Sequence, residues 1–510
     1  MKQKVFSVFG NPLPKKVVDK AERVFRSYAT RFGYDPAWKP RLVGRPMPGA
    51  WEVFGMRQIV EEDPARVADE KLPGAGDPAV VIGTIRMGFG HYRIAIAIAS
   101  AARSMGQEPY LLDFLGFPKS AASRTIDYLN NLYSFASRLS QRFHFFNRFV
   151  WEKVTAEAAL KLDYCARDLK LAKLYVPIFG DLDRTIPFVA THPWTGQAAV
   201  LAGMEKLVTV VPDNFPLAFH LVEGSILAVQ TPSNYLGYRT LRHMGAGDQG
   251  LLVPVPPDTV RYTGHFVDHE IVSNIEADCA RRLKRLRDGR AKRLLLTMGG
   301  AGAQGQRFYE IIRFCYPAVE ANRVVVLVNM GDHRDQWEIL RAELDERRIQ
   351  YTIHTVWEET QQFAESIRDT EVLGIHVFLH DDLFAAVYTT NLLMRAVELM
   401  VTKPSELSFY PVPKLFIERV GRHEAWGAIH GAEIGDGTLE TDSLSGLQQT
   451  LKVILSDNDL IELYCGNILN NWRAGIYNGA YRAVELAAAG TQIVARWPSE
   501  LPASVPPTAI

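Results

Sequence analysis

Cysteine is scarce: the four residues Cys165, Cys279, Cys315 and Cys465 lie far apart and form no CxxC pair, so neither a zinc site nor a disulfide framework is expected. Net charge is missing too. Because 57 Lys and Arg balance 57 Asp and Glu, no bulk field draws nucleic acid or a polyanionic substrate, and partners must be recognised locally. No apolar run approaches the ~20 residues of a membrane-spanning helix. The opening MKQKVFSVFGNPLPKK lacks an apolar signal core with a small-residue cleavage site, and no internal repeat is visible. These absences lead us to expect a cytoplasmic protein, soluble or peripherally membrane-associated, with no nucleic-acid partner.

What is present is apolar mass in a regular pattern. A chain of 510 residues with 47% hydrophobic content exceeds what one core organises, since single cores stop growing near ~250–300 residues. Residues 1–77, with Pro and Gly late on (RPMPGAWEVFG, KLPGAGDP), read as an N-terminal extension. From 79 onward, short Val/Ile/Leu runs alternate with helical patterns, the signature of parallel βα units. Expected strands are 79–85, 109–113, 187–190, 206–211, 226–229 and 260–263, and then, after the basic stretch ADCARRLKRLRDGRAKR, 293–298, 323–328, 350–354, 375–379, 399–402 and 414–417. The fold class is therefore α/β with two Rossmann-like, doubly wound domains, over 78–285 and 286–475, followed by a helix and irregular tail over 476–510.

Each half opens with a strand running into glycines, Met87-Gly-Phe-Gly-His91 and Met298-Gly-Gly-Ala-Gly-Ala-Gln-Gly305. Glycine lets a backbone approach a ligand closely, and the helix that follows presents free N–H groups and the positive end of its dipole, a combination suited to phosphate. A ligand-free βα turn is the plain alternative. Gly300-x-Gly302-x-x-Gly305 also matches a dinucleotide fingerprint, but the acid that NAD would need after the next strand comes late, at Asp332.

The order GFGH, FVATHP (188–193), VVPDN (210–214), YTGHFV (262–267), MGGAG and VTKPSELS (401–408) resembles the GT-B glycosyltransferases of the monogalactosyldiacylglycerol synthase type, which include the lipid-linked GlcNAc transferase of peptidoglycan synthesis. The resemblance spans roughly 79–490. It implies two Rossmann-like domains facing a cleft, with the last helix crossing back to the first domain. It also implies a nucleotide-sugar donor, UDP-linked, and a lipid or small-molecule hydroxyl acceptor. Carried over position by position, Gly88, Gly90 and His91 take the first glycine turn near diphosphate and acceptor. Gly299, Gly300 and Gly302 take the donor-diphosphate turn, Thr402 and Lys403 the start of the donor motif, and His423 and Glu424 the segment beside the donor sugar. The family motif reads KPGG where this chain has Lys403-Pro-Ser-Glu406, and about one helical turn is missing before the next strand; Glu406 is a candidate for the ribose.

Inverting transfer needs a base for the acceptor hydroxyl and stabilisation of the leaving diphosphate, and a histidine beside a phosphate turn suits either task. His91 is accordingly the catalytic candidate, with helix capping as its plain alternative. His192 and Asp213 are acceptor-side candidates, each also explicable as a turn residue. Asp181-Leu-Asp183 imitates a metal-binding DxD motif outside the fold that uses it and reads as a loop, so no essential metal or other cofactor is expected. The aromatic stretch 141–151, QRFHFFNRFVW, reads either as domain core or as a peripheral membrane contact. The alternative function is a non-catalytic sugar-nucleotide-binding protein on a degenerate GT-B scaffold. A nicotinamide oxidoreductase is a third reading.

Overall fold

The computed structural model describes residues 6–66, 70–86, 88–142, 158–245, 250–300, 302, 304–419 and 421–490, with only the backbone described at 50 and 133–142. The described chain packs as two units: one gathers the residues up to 86, Ile94–His269 and the chain from Asn478 onward, and the other gathers Gly88–Arg93 and Glu270–Tyr477.

The first unit is built on nine strands: β1 Leu42–Pro46, β2 Arg57–Glu61, β3 Glu70–Lys71, β4 Ala79–Thr84, β5 Glu108–Asp113, β6 Phe188–Ala190, β7 Leu207–Val210, β8 Ile226–Val229 and β9 Val260–Tyr262. Their spatial order is β9-β8-β7-β6-β4-β5-β2-β1-β3. From β9 through β2 the neighbours run parallel, while β1 is antiparallel to both β2 and β3. Every residue of β4 is buried, as expected of a central parallel strand covered on both faces. The edge strand β3 is two exposed charged residues, a short, charged edge that resists further pairing.

The stretch read as an N-terminal extension is not separate from this sheet. Three strands, β1 to β3, come from it. The helix Lys15–Phe32, ended by Gly33 in the left-handed region at φ 67°, packs on the helix Leu162–Leu171, and Lys170 pairs with Glu22 at 2.9 Å. The sequence pattern hid these elements because the strands are short and interrupted by Gly44 and Pro46. The last described helix, Gly479–Ala489, belongs to the first unit and lies against β4, β6, β7 and β8. Gly479 is tight against the Gly264 and His265 backbone, 2.7 Å from each carbonyl carbon for an added Cβ.

The second unit has seven strands: β10 Lys292–Thr297, β11 Val324–Asn329, β12 Thr352–His354, β13 Ile375–Phe378, β14 Leu399–Thr402, β15 Lys414–Ile417 and β16 Gly437–Thr441. The order is β12-β13-β11-β10-β14-β15-β16, parallel throughout. The twelve strands expected from sequence are all present within two residues at either end. The strand β16, GTLET, was not expected, because it is a polar edge strand with one of its five residues buried. The helix Leu383–Met394 is apolar on all sides and buried. Its few polar groups are paired inward: Thr390 with Thr297 at 2.8 Å, and Asn329 with Thr390 and the Ala386 carbonyl, both at 2.8 Å.

Candidate functional site

In an open α/β sheet the ligand crevice lies beyond the carboxyl ends of the strands, where the strand order reverses. In the second unit that point falls between β10 and β14. Met298-Gly299-Gly300 leaves the end of β10, and Lys403-Pro404 leaves the end of β14.

The residues singled out in sequence converge here. Gly300 is tight against the first glycine turn: a Cβ on it would lie 2.7 Å from Gly88 Cα. A Cβ on Gly299 would meet Lys403 Cε at 2.9 Å, one on Gly302 would meet His333 Nδ1 at 2.9 Å, and one on Gly90 would meet a Glu406 carboxylate oxygen at 3.3 Å. Gly302 and Gly88 both take the left-handed region, at φ 63° and 79°, but Gly88 differs in that nothing lies within 4 Å of its missing Cβ. At Gly299, Gly300, Gly302 and Gly90 the space freed by glycine is thus used by the protein itself, and at Gly88 it is open.

The polar groups are tied to one another. Lys403 Nζ donates to Glu424, whose carboxylate also accepts from the Gly421 amide at 3.1 Å. Both side chains are largely buried. His423 sits in the same short turn, Arg422–Glu424, its ring against Gly421. Glu406 opens the single helical turn Glu406–Phe409 and stands 3.7 Å from Arg93 Nε. Thr402 is buried at the end of β14. His91 is half-buried in the first turn of the helix Gly90–Ser104.

Two residues of this cluster were missed in the sequence reading. Arg93, 1% exposed, donates to Asn391 and stacks 5.8 Å from the Tyr410 ring; the signal was a lone cation just ahead of the run IAIAIASA. His333 accepts from or donates to nothing predictable by motif, yet its Nε2 lies 3.0 Å from the Gly299 carbonyl and its ring lies 5.5 Å from that of Phe89.

His192 and Asp213 belong to the first unit, at the carboxyl ends of β6 and beyond β7. His192 is buried and caps the helix Pro193–Ala202, its Nδ1 accepting from the Trp194 amide at 3.1 Å. Asp213 is half-exposed, 3.5 Å from Nε2 of His220, whose Nδ1 lies 3.0 Å from the Tyr238 hydroxyl. The Tyr238 oxygen also accepts from the Leu217 amide at 3.1 Å. His220 had no motif around it and was found only through this contact. Behind Trp194, Asp168 is fully buried, and among the described residues neither carboxylate oxygen has a partner at good hydrogen-bond geometry, the Trp194 indole N–H being the nearby donor. Burial pushes its carboxyl up to about 7, with Arg167 and Trp194 pulling the other way.

The Asp181-Leu-Asp183 stretch is a loop: Asp181 accepts from the Leu42 amide at 2.9 Å and Asp183 from the Thr185 amide at 2.8 Å. Among the described residues no group of three or more His, Cys, Asp or Glu side chains could hold a metal ion. No described helix is long and apolar enough to cross a membrane. The aromatic stretch over 143–151, and the side chains of 141 and 142, lie outside the described residues.

Two family models match, each over less than half of the chain: residues 7–240 match a "Domain of unknown function (DUF6937)" and residues 255–488 a "Domain of unknown function (DUF6938)". No curated protein matches. Among solved structures, UDP-GlcNAc 2-epimerase from Neisseria meningitidis, bound to UDP-GlcNAc, is similar at 11% identity and TM-score 0.40, over 80% of this chain and 99% of that one. An α,α-trehalose-phosphate synthase (UDP-forming) from Burkholderia vietnamiensis is similar at 13% identity and TM-score 0.41, over 81% and 98%. A spinosyn rhamnosyltransferase complexed with thymidine diphosphate is similar at 13% identity and TM-score 0.31, over 81% and 96%.

Proposed function

We propose that the protein is a glycosyltransferase that moves a sugar from a nucleotide-sugar donor, UDP-linked, to a hydroxyl acceptor, a lipid being one candidate. One observation carries the reading. Four segments far apart in sequence, Gly88–His91, Gly299–Gly300 with Gly302, Thr402–Glu406 and His423–Glu424, meet at the switch point of the second unit's sheet, where this class of sheet takes its ligand.

In this reading Lys403 supplies positive charge to the leaving diphosphate, helped by the amides that open the helix at Gly90. Glu424 takes sugar hydroxyls once the lysine turns to phosphate. His91 removes the acceptor proton as the acceptor oxygen attacks the anomeric carbon and the bond to the diphosphate breaks. Within the first unit, Asp213, 3.5 Å from His220, and His192, which caps its helix, are the candidates for acceptor contacts. No essential metal is invoked, because lysine and helix terminus carry the neutralising role.

The second reading, a non-catalytic sugar-nucleotide-binding protein, draws on the pairing of Lys403 with Glu424 and of Glu406 with Arg93, which leaves both groups engaged without substrate. A thermal-shift screen against UDP, UDP-glucose, UDP-galactose, UDP-GlcNAc, GDP-mannose and NAD separates the possibilities. Ligand at ~100 times its dissociation constant adds about 2.7 kcal/mol of stability. The expected result is a UDP-selective shift lost in Lys403→Ala, with UDP release from a UDP-sugar lost in His91→Ala. Binding without turnover favours the second reading, an NAD shift favours an oxidoreductase, and no shift with any nucleotide refutes the donor site.

A further inference from the structure

The opposite end of the second unit's sheet holds a feature the proposed reaction does not use. Where the helix Ile275–Arg287 ends, β10 begins and the helix Trp357–Ser366 gives way to a turn, there is a pocket of about 110 Å³. Six cations line it: Arg281, Lys284, Arg285, Arg290, Arg293 and Arg368.

Most of these have a carboxylate. Arg285 Nε is 2.6 Å from buried Glu398, and Arg281 is 3.2 Å from Asp278 and 3.3 Å from Asp369. Asp288 is 2.6 Å from Lys284 and 3.9 Å from Arg290, and Glu371 is 3.8 Å from Arg290. Among the described residues, Arg293 and Arg368 have no carboxylate at ion-pair distance. Arg293 is 2% exposed and donates to the carbonyls of Ile367, Ala396 (3.1 Å) and Thr370 (2.8 Å).

Basic residues commonly do no more than neutralise helix C-termini, and Arg293 does this for the second helix. That role does not use up the remaining donors. Among the described residues, Arg285 Nη2 and Arg368 Nε are both buried without any hydrogen-bond partner, and Arg285 as a whole is 6% exposed. A buried guanidinium donor without an acceptor is costly and wants an anion. Burial, and to a lesser degree Arg285 and Arg290, pushes the Arg293 guanidinium down to about 10, and burial, with a smaller push from Arg395, lowers Arg368.

We propose that this pocket binds a phosphate group, free or carried by a small metabolite, at a site separate from the glycine-turn cluster. Arg293 and Arg368 bring charge that no carboxylate at ion-pair distance offsets among the described residues, and the one unpartnered donor on each of Arg285 and Arg368 suits a phosphate oxygen.

The test titrates the full chain with inorganic phosphate by calorimetry and thermal shift, with chloride at matched ionic strength as control and glycerol 3-phosphate as the monoester arm. Saturable phosphate binding that weakens roughly tenfold in Arg368→Gln, and also weakens in the more exposed Arg290→Gln, supports the site. Tighter binding of the monoester assigns the phosphate to a carried group, and equal or weaker binding assigns it to the free ion. The proposal is overturned if chloride reproduces the effect or if both variants, shown folded by circular dichroism, bind like the parent. It is also overturned if Lys403→Ala removes phosphate binding, since the anion would then sit at the glycine turns.

Discussion

Gly300 is packed so closely on the first glycine turn that a Cβ added to it would lie 2.7 Å from Gly88 Cα and 2.8 Å from the Gly88 carbonyl carbon. Backbone atoms cannot give way as a side chain can. Gly300→Ala should therefore cost about 1–3 kcal/mol through overpacking, read as a lower denaturant midpoint at unchanged slope. Gly88→Ala has open space but a φ of 79°, so it should cost about 1–2 kcal/mol from backbone strain alone. A Gly300→Ala protein as stable as the parent would show that the two turns are not held together.

The Lys403–Glu424 pair makes a directional prediction. A diphosphate must draw Lys403 away from Glu424, so Glu424→Gln should tighten UDP binding while weakening the preference for UDP-sugar over UDP. Competition titrations with the two ligands read this ratio directly. If Glu424→Gln weakens UDP itself, the carboxylate is positioning the lysine instead of competing for it.

Buried Asp168 and the half-buried His354 and His430 give stability opposite pH dependences. Asp168 has its carboxyl raised to about 7, against ~3.9 when unfolded. Between these values the folded state holds the extra proton, so its contribution is fully present below ~4 and is lost as pH rises through about 7, at up to ~1.4 kcal/mol per pH unit. His354 and His430 are lowered to about 4 by burial, helped by His376 and Lys414 respectively. Unfolded histidine takes a proton near ~6.5, so their contribution is lost as pH falls from there towards about 4. Asp168→Asn removes the first effect: melting temperature should rise at pH 8, and the acid loss below ~6.5 should steepen. An unchanged profile would mean that Asp168 titrates normally.

Lys414 and Asp436 are both fully buried and 2.7 Å apart, and Asp436 also accepts from the Tyr477 hydroxyl at 3.1 Å. Asp436→Ala leaves a buried ammonium and should cost about 3–5 kcal/mol. Joint replacement by Lys414→Met and Asp436→Leu should cost much less, because no charge is stranded. Equal losses in chemical denaturation for the single and double variants would refute this account of the pair.

Much of the fold was legible because its signal is local. Runs such as AVVIG and RLLLT are apolar without alternation, as strands covered on both faces must be, and glycines with polar turns mark where they stop. The strands over 42–46, 57–61 and 437–441 escaped because they sit at or near sheet margins, where one face or one edge is wet and composition carries little information. The site was legible in part. Glycines and the Lys403–Pro404 step stand at strand ends that the sequence announces. His220, His333 and Arg93 do not, since each gains its partner across 7, 34 and 298 residues of chain respectively.

By itself, then, the order of residues determined the parallel strands of two α/β sheets and where their glycine turns fall, since strand burial and turn geometry are set by neighbours along the chain. Only the tertiary structure decided that residues 42–71 complete the first sheet and that Gly88 meets Gly300. It alone decided that Lys403 is engaged by Glu424, and that two arginines at the far end of the second sheet have no carboxylate at ion-pair distance among the described residues. These are matters of packing between segments, and the free energy that decides them comes from desolvation and close approach at contacts no local pattern encodes.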